Sequence, residues 1–134
     1  MKEIITVAQC AFAAMGGALG AVLGGWDGFL YALIMFTVID YLTGVMVAIA
    51  EKTLSSEVGF KGIAKKVAVF CLVAVAHIID AQFIKNGAVV RTATVFFYLS
   101  NEGISIIENV AKLGLPVPEK LKNVLEQLKT DSEE

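Results

Sequence analysis

The sequence is poor in the residues that most enzymes use for chemistry. It holds one histidine, two cysteines and two prolines in 134 residues. His77 and Asp80 fall on one helical face, but two ligands are fewer than the three or four that a zinc site needs. The phosphate-binding pattern GxxxxGK[ST] and the nucleophile pattern GxSxG are both absent from the sequence. We therefore expect no enzymatic activity, no metal and no cofactor.

The cysteines and the basic residues exclude two further classes of protein. Cys10 and Cys71 lie within apolar stretches, so they indicate neither a disulfide framework nor a metal cluster, and we expect them to be small buried apolar residues. The chain has eleven basic and thirteen acidic residues, and it lacks a soluble basic surface with interleaved aromatic residues. Nucleic-acid binding is therefore not expected.

Apolar surface is what the chain has in abundance. Hydrophobic residues make up 57% of it, charged residues 18%, and the mean hydropathy is +0.73. A soluble domain of this size has too little interior to hide so much apolar surface. Four segments approach the length of about 20 residues that crosses a bilayer core of about 30 Å: residues 4–23, 29–49, 67–84 and 89–110. We predict an all-α integral membrane protein with four transmembrane helices, or three if the first segment does not cross, and a short amphipathic C-terminal helix.

The first segment leaves two alternatives open. Lys2 precedes an apolar stretch rich in small residues, as in a signal peptide. The spacing of Gly16, Gly20 and Gly24 instead favours a packed span, because small residues four apart let two helix backbones approach closely in lipid. We expect Gly44 in the second segment to serve helix packing as well. If the first segment does not cross, only the N-terminus moves to the outside.

The lysines predict how the chain is oriented. Eight of them form two groups, with Lys52, Lys61, Lys65 and Lys66 between the second and third segments and Lys112, Lys120, Lys122 and Lys129 after the fourth. Short loops rich in Lys and Arg stay in the cytoplasm. We therefore predict a transmembrane domain of residues 1–111 and a cytoplasmic amphipathic tail of residues 112–134, with the C-terminus inside.

The tail has one apolar face and several lysines. Its apolar residues follow the helical spacing i, i+3, i+4 and i+7, at Leu121, Val124, Leu125 and Leu128. The lysines could contact anionic lipid head groups, or the helix could pack on its neighbours in an oligomer. The sequence leaves both possibilities open.

Charged residues within the apolar segments are the most informative feature. Asp40 falls near the middle of the second segment and Glu102 near the middle of the fourth. A charge at the bilayer centre costs about 2.5 to 3.5 kcal/mol, so each carboxylate needs a partner, a proton or water, or is neutral and hydrogen-bonded within the bundle. Asp80 and Arg91 should lie at similar depth near the outer face, where we expect a structural ion pair.

Polar residues also recur along the fourth segment at helical spacing. The stripe consists of Thr94, Tyr98, Asn101, Ser105 and Glu108, with Glu102 beside it, and the opposite side carries Val95, Leu99, Ile106 and Val110. We expect the apolar side to face lipid and the stripe to face a polar contact or water. One small monomer cannot easily satisfy such a stripe, so we predict a homo-oligomer in the bilayer, which could assemble around water.

Several of these pieces occur together in one known family. Asp40 with Gly44, Ser55 and Ser56 before GFKGIAKK, the stretch NEGISIIEN, and GLPVP before the tail helix resemble the phage-lysis and toxin-secretion holin family over residues 36–128. The resemblance implies a small phage-encoded protein of the bacterial cytoplasmic membrane that accumulates and then assembles abruptly into lesions. Such lesions let a cytoplasmic endolysin, a functional partner that need not touch the holin, reach the cell wall. Some members instead serve the export of large proteins.

A small four-helix ion channel or transporter is the alternative from another class. Phe96, Phe97 and Asn101 could line a narrow pore of the kind found in fluoride channels. Ion-selective flux without release of a large protein would favour this alternative over a holin.

Overall fold

The computed structural model describes residues 1–133, and the last residue of the predicted tail, Glu134, lies outside them. Five α-helices account for most of the described chain: α1 (Lys2–Leu23), α2 (Gly28–Ala50), α3 (Ser56–Ile79), α4 (Val89–Lys112) and α5 (Glu119–Glu133). A π-helical turn, Asp80–Ile84, extends α3. No strand occurs within residues 1–133, and the all-α prediction is confirmed.

Short polar side chains and glycine set the helix ends. Gly24 adopts a left-handed conformation with φ 93° that closes α1, a position glycine takes without strain. The side chain of Asp27 accepts a hydrogen bond of 2.8 Å from the backbone N–H of Leu30 and so begins α2. Ser55 accepts one of 3.1 Å from Val58 and begins α3.

The beginning of α3 corrects one prediction. The apolar segment was expected to begin at residue 67, whereas the helix already begins at Ser56 because Ser55 caps it. Lys61, Lys65 and Lys66 therefore lie on the helix and not in the preceding loop. This places Lys66 inside the bundle, which matters for the site described below.

Three helices are long and apolar enough to cross a membrane. By length and composition these are Lys2–Leu23, Gly28–Ala50 and Ser56–Ile84, the last including the π-helical turn. α4 is of similar length, with 24 residues, but its polar residues make it less apolar than these three helices. Three of the four predicted spans are therefore found as such, and α4 owes its place in the bundle to packing and polar contacts.

α2 and α4 form the centre of the bundle, with α3 packed against both and α5 folded back along α4. The apolar core lies between α2, α3 and α4 and includes Leu30, Leu33, Val73 and Val95, which are fully buried. At α5, Leu125 is buried beside Gly103 of α4. The tail helix thus covers α4 as far as the middle of that helix.

α1 packs against α3 and leaves most of its apolar surface open. Cys10 on α1 and Cys71 on α3 are both exposed, so the expectation that they are buried is wrong. Both lie on outward faces of apolar helices, where a small apolar side chain suits contact with lipid.

We name the two ends of the bundle after Asp27 and Lys52. The Asp27 end comprises residues 24–27 and 85–88, which join α1 to α2 and the π-helical turn to α4. The Lys52 end comprises residues 51–55 and 113–118, which join α2 to α3 and α4 to α5.

Candidate functional site

A charged network lies where α2, α3 and α4 meet. The ammonium group of Lys66 donates to Oδ2 of Asp40 and, at 2.5 Å, to Oε2 of Glu102. The side chains of Asp40 and Glu102 are only 8% and 9% exposed. Each of the three residues is at least ten positions from either end of its helix, which is about 15 Å at the helical rise. The network therefore occupies the middle of the bundle.

Lys66 is the member of this network that the sequence patterns did not identify. Hydropathy assigned it to a cytoplasmic loop together with its neighbours, because a lysine lowers the apolar score of any window that contains it. One signal pointed to it all the same. Two carboxylates in apolar segments require a compensating charge, and Lys66 lies on the next helix in the chain, which Ser55 caps.

Asp40 has a second partner on α4. The side-chain amide of Asn109 donates to Oδ1 of Asp40 at 3.1 Å and to the hydroxyl oxygen of Thr43 at 3.0 Å. Asp40 thus accepts from two side chains, one on α3 and one on α4. Gly44 lies one helical turn further along α2, where a Cβ atom would be 3.7 Å from the same amide nitrogen.

The bundle is loosely packed on both sides of the network. Towards the Lys52 end lies a cleft of about 240 Å³ between α2 and α3, with Tyr41 and Gly62 on its two sides and Ser105 of α4 lining it as well. Towards the Asp27 end lies a shallower, mostly apolar cleft of about 520 Å³. Thr94 and Tyr98 of α4 line it opposite Ala76 of α3. The charged network is therefore the strong polar contact across the seam between α3 and α4, which is otherwise incompletely filled.

The structure splits the predicted polar stripe of α4. The residues of α4 that line the seam with α3 or join the network are Thr94, Tyr98, Glu102, Ser105 and Asn109. Asn101 is half-buried beside this row, and Glu108 is exposed in a groove between α4 and α5. This polar face of α4 thus includes Glu102, which bonds to α3, and Asn109, which bonds to α2, with steps of four, four, three and four residues.

The opposite side of α4 also differs from its prediction. Val95 is fully buried and Leu99 is 8% exposed, and both belong to the core with Leu30 and Leu33 of α2. The expectation that they face lipid is wrong, because both side chains pack in a core that α2, α3 and α4 share. Neighbouring helices therefore cover α4 on its apolar side as well as on its polar side.

A second polar cluster ties the Asp27 end together. Arg91 is 3% exposed, and its guanidinium group makes three hydrogen bonds to the segment between α1 and α2. Nε donates to the carbonyl of Leu23 at 2.6 Å, Nη1 to Oδ2 of Asp27 at 2.7 Å, and Nη2 to the carbonyl of Gly25 at 2.9 Å. The hydrogen bond from Arg91 is the main reason that the pKa of Asp27 is lowered.

Asp80 and Arg91 do come together, but not as the predicted pair of charged side chains. The carboxylate of Asp80 accepts from the backbone N–H groups of Val90 and Arg91, at 3.0 and 2.7 Å. The first N–H groups of a helix have no partner within it, and Asp80 supplies one for the beginning of α4. The guanidinium group of Arg91 pairs with Asp27 and not with Asp80.

The glycines of α1 make room for side chains within the same chain. The indole of Trp26 lies directly over Gly20, and its N–H donates to the carbonyl of Gly16 at 2.9 Å. A Cβ atom at Gly24 would lie 2.6 Å from Nε of Arg91. These close approaches fix the segment between α1 and α2, whereas contact of the predicted glycine face with another helix stays a prediction.

Phe96 and Phe97, which the channel alternative places in one narrow pore, pack against different neighbours. Phe96 stacks on Phe29 of α2 with ring centroids 5.0 Å apart, and Phe97 packs edge-on against Tyr98 at the same distance. Phe97 lines the apolar cleft that faces α3, while Phe96 packs towards α2. The arrangement does not favour a narrow pore lined by both rings and Asn101.

Comparison with known proteins agrees with the resemblance seen in the sequence. The sequence profile of the bacteriophage holin family matches residues 17–130. The chain belongs to the bacteriophage holin family. A holin is a membrane protein, in keeping with the three apolar helices, and membership supports the absence of enzymatic activity.

Relatives of this holin-family chain match along most of their length. An uncharacterized 14.9 kDa protein in the nagH 3' region of Clostridium perfringens is 41% identical over 129 residues, which cover 96% of this chain and 97% of the relative. An uncharacterized protein of Listeria innocua is 42% identical over 125 residues, or 93% and 86% of the two chains. A probable holin of Bacillus phage phi105 is 36% identical over 114 residues, or 85% and 84%. No solved structure matches the chain.

Proposed function

We propose that this member of the holin family oligomerises in the bacterial cytoplasmic membrane and forms lesions that release a phage endolysin or a large secreted protein. Residues 1–111 would form the transmembrane domain and residues 112–134 a tail on the cytoplasmic side. Lys52 at the Lys52 end and Lys112, the last residue of α4, support this orientation through the positive-inside rule. The observation that carries the proposal is the polar face of α4, which one molecule keeps against α3.

Closure of this face within one chain is compatible with a harmless monomer. Thr94, Tyr98 and Ser105 line clefts that α3 borders, and Glu102 accepts a hydrogen bond from Lys66. If α3 moves away from α4, these groups lose their cover. In lipid such groups are costly without partners, so several copies must share them or surround water with them. The same face can therefore be sealed in a monomer and line a water-filled lesion in an oligomer.

Induced expression in a bacterium tests the proposed function directly. We expect a delay with intact membrane potential, followed by sudden loss of the potential. Co-expression with an endolysin that lacks a signal sequence should then lyse the culture, while the endolysin alone should not. Continued growth with an intact potential, despite verified accumulation in the membrane, would contradict the proposal. Slow ion-selective flux without enzyme release would favour the channel.

Two neighbouring residues on α4 test whether the polar face reaches water. Cysteine in place of Thr94, which lines the seam with α3, should gain reactivity towards a water-soluble thiol reagent once lesions form. Cysteine in place of Val95, about 100° around the helix and fully buried against α2, should stay protected throughout. Cys10 and Cys71 are exposed and must first be replaced by alanine. Equal labelling of the two positions would argue against a lesion lined by this face.

A fusion after Glu134 tests the orientation separately. A reporter that works only in the cytoplasm should be active there, and a reporter that works only in the periplasm should be silent. The reverse result would place the Lys52 end outside.

A further inference from the structure

The charged network does not balance when all its members are ionised. One ammonium group, that of Lys66, faces the two carboxylates of Asp40 and Glu102, which leaves a net charge of −1. Both carboxylates are within hydrogen-bond reach of one nitrogen atom, so they lie at most about 6 Å apart. Two carboxylates that share such a site resist simultaneous ionisation. A net charge in the middle of an apolar bundle is also unfavourable.

We infer that the Asp40–Lys66–Glu102 network binds one proton from the side of the Lys52 end, and that this proton holds α3 against α4. The inference rests on the proposed function, because it assigns a means of regulation to the seam that would open in a lesion. Binding adds one proton to a carboxylate oxygen and takes the net charge of the network from −1 to zero. Loss of the proton to water restores the charge.

The hydrogen bonds indicate which carboxylate carries the proton. Asp40 accepts from both Lys66 and the amide of Asn109, and each of these bonds favours its ionised form. Glu102 accepts from Lys66, and its other side-chain hydrogen-bond neighbour is the carboxylate of Asp40, which can accept a proton-bearing bond from it. The proton therefore belongs on Glu102, with Asp40 and Lys66 left as a neutral ion pair.

The cleft at the Lys52 end supplies a path for the proton. Its lining runs from Asp40 and Lys66 at the network, past Ser105 and Asn109, to Leu54 in the segment between α2 and α3. Its polar side chains and its volume of about 240 Å³ leave room for several water molecules. The cleft towards the Asp27 end is mostly apolar and offers no comparable path.

Few other titratable groups face the network. α2 contributes the hydroxyl of Tyr41 to the cleft, 3.4 Å from the carbonyl of Gly59 on α3. Lys65 on α3 and Glu108 on α4 are exposed and turned away from it. α5 meets this level of α4 with the apolar side chain of Leu125. The charge of the site is therefore set by Asp40, Lys66 and Glu102.

The sign of the pH effect follows from the charge count. With the proton bound, the neutral network suits the apolar bundle and keeps the seam closed. Without it, the uncompensated negative charge favours entry of water and separation of α3 from α4, which is the first step that the proposed lesion requires. Raising the pH on the side of the Lys52 end should therefore promote assembly.

Infrared titration of the purified full-length chain tests proton binding without any reference to lesions. The wild type should show the carbonyl band of one protonated carboxylic acid that disappears as the pH rises. Glu102→Gln, which keeps the Asp40–Lys66 pair, should lack this band. Glu108→Gln removes an exposed glutamate from the same helix and should keep it. Absence of the band from the wild type at every pH would overturn proton binding, and its survival in Glu102→Gln would overturn the assignment to Glu102.

Release of a labelled dextran from vesicles tests the effect on the seam. Release by the wild type should accelerate by up to about tenfold per pH unit across the infrared transition, since one proton is lost. Glu102→Gln should release slowly at every pH, and Glu108→Gln should behave like the wild type. Helix content by circular dichroism checks folding, and Asp40→Asn, which should also release slowly at every pH, replaces Glu102→Gln if the latter does not fold. Release by the wild type at a rate independent of pH would overturn the proposal that the proton holds α3 against α4. Lack of release at any pH would defeat the holin function and leave the infrared result standing.

Discussion

Replacing Arg91 by methionine should loosen the Asp27 end of the bundle. Methionine keeps much of the length of the side chain but removes all three hydrogen bonds to the segment between α1 and α2. The carbonyl of Leu23 belongs to a buried residue, whereas Gly25 is half-buried and Asp27 has a side chain 41% exposed. The three bonds are therefore not equally valuable.

The expected loss can be estimated bond by bond. A hydrogen bond to a charged group contributes about 1.5 to 3 kcal/mol net of desolvation, and we assign that range to the bond with Leu23. Water can partly replace the bond to Gly25, and an exposed ion pair such as that with Asp27 is worth about 0 to 1 kcal/mol. The free energy of unfolding should therefore fall by about 3 kcal/mol, which makes opening of this segment about a hundredfold more frequent.

Chemical unfolding in detergent micelles, followed by circular dichroism, measures this loss. Limited proteolysis within residues 24–27 should accelerate in parallel. Lys85→Asn is the matched control, because it removes a positive charge from the same end, where Lys85 is exposed and its left-handed backbone suits asparagine. A loss in Arg91→Met below about 1 kcal/mol, or no larger than in the control, would refute the view that the guanidinium group ties α1 and α2 to α4.

Two further predictions concern Asp27 and Gly103. Because its partner Arg91 lowers the pKa of Asp27 below the ordinary value of 3.8, its contribution to stability should be complete above about pH 4 and vanish as the pH falls through the lowered pKa. Asp27→Asn, which can still cap α2, should flatten this acid dependence in a measured unfolding series. At Gly103 a Cβ atom would lie 2.7 Å from Leu125, so Gly103→Leu should displace α5 and speed proteolysis of the tail, while the double variant Gly103→Leu with Leu125→Ala should restore protection. Gly16→Leu, at an open position, should leave tail proteolysis unchanged, and tail protection that persists in Gly103→Leu would show that α5 is not held there.

The helices of this protein could be predicted from sequence because their signals are local. Apolar length places α1 and α2, and the residues Gly24, Asp27 and Gly114 mark helix ends by their backbone or capping preferences. Asp40 and Glu102 were also found from sequence alone, since a carboxylate within an apolar segment is rare. What hydropathy could not provide was the partner of each charge.

Partners depend on which helix faces meet, and that is a tertiary property. Lys66 was assigned to a loop because its charge masked the helix, and Arg91 was paired with the nearest acid of similar depth. In the folded chain the carboxylate of Asp80 is already committed to the backbone of α4, and Asp27 comes from a loop 64 residues away along the chain. A similar position along the bundle was not enough, since the rotation of each helix decides which side chains meet.

In the proposed arrangement, where α4 crosses the membrane, the charge network provides partners for the polar residues of that helix. Inserted separately, Lys66 on α3 and Glu102 on α4 would each cost about 2.5 to 3.5 kcal/mol, or about 5 to 7 kcal/mol together. Inserted together as an antiparallel pair, Lys66 and Glu102 hydrogen-bond to one another, and the polar face of α4 finds partners within the bundle instead of lipid. α3 and α4 are therefore expected to enter the bilayer as one unit. The same dependence makes their seam the place where the bundle can reopen. Once α3 leaves α4, the polar face of α4 loses its cover. Only water or another copy of the chain can then satisfy that face.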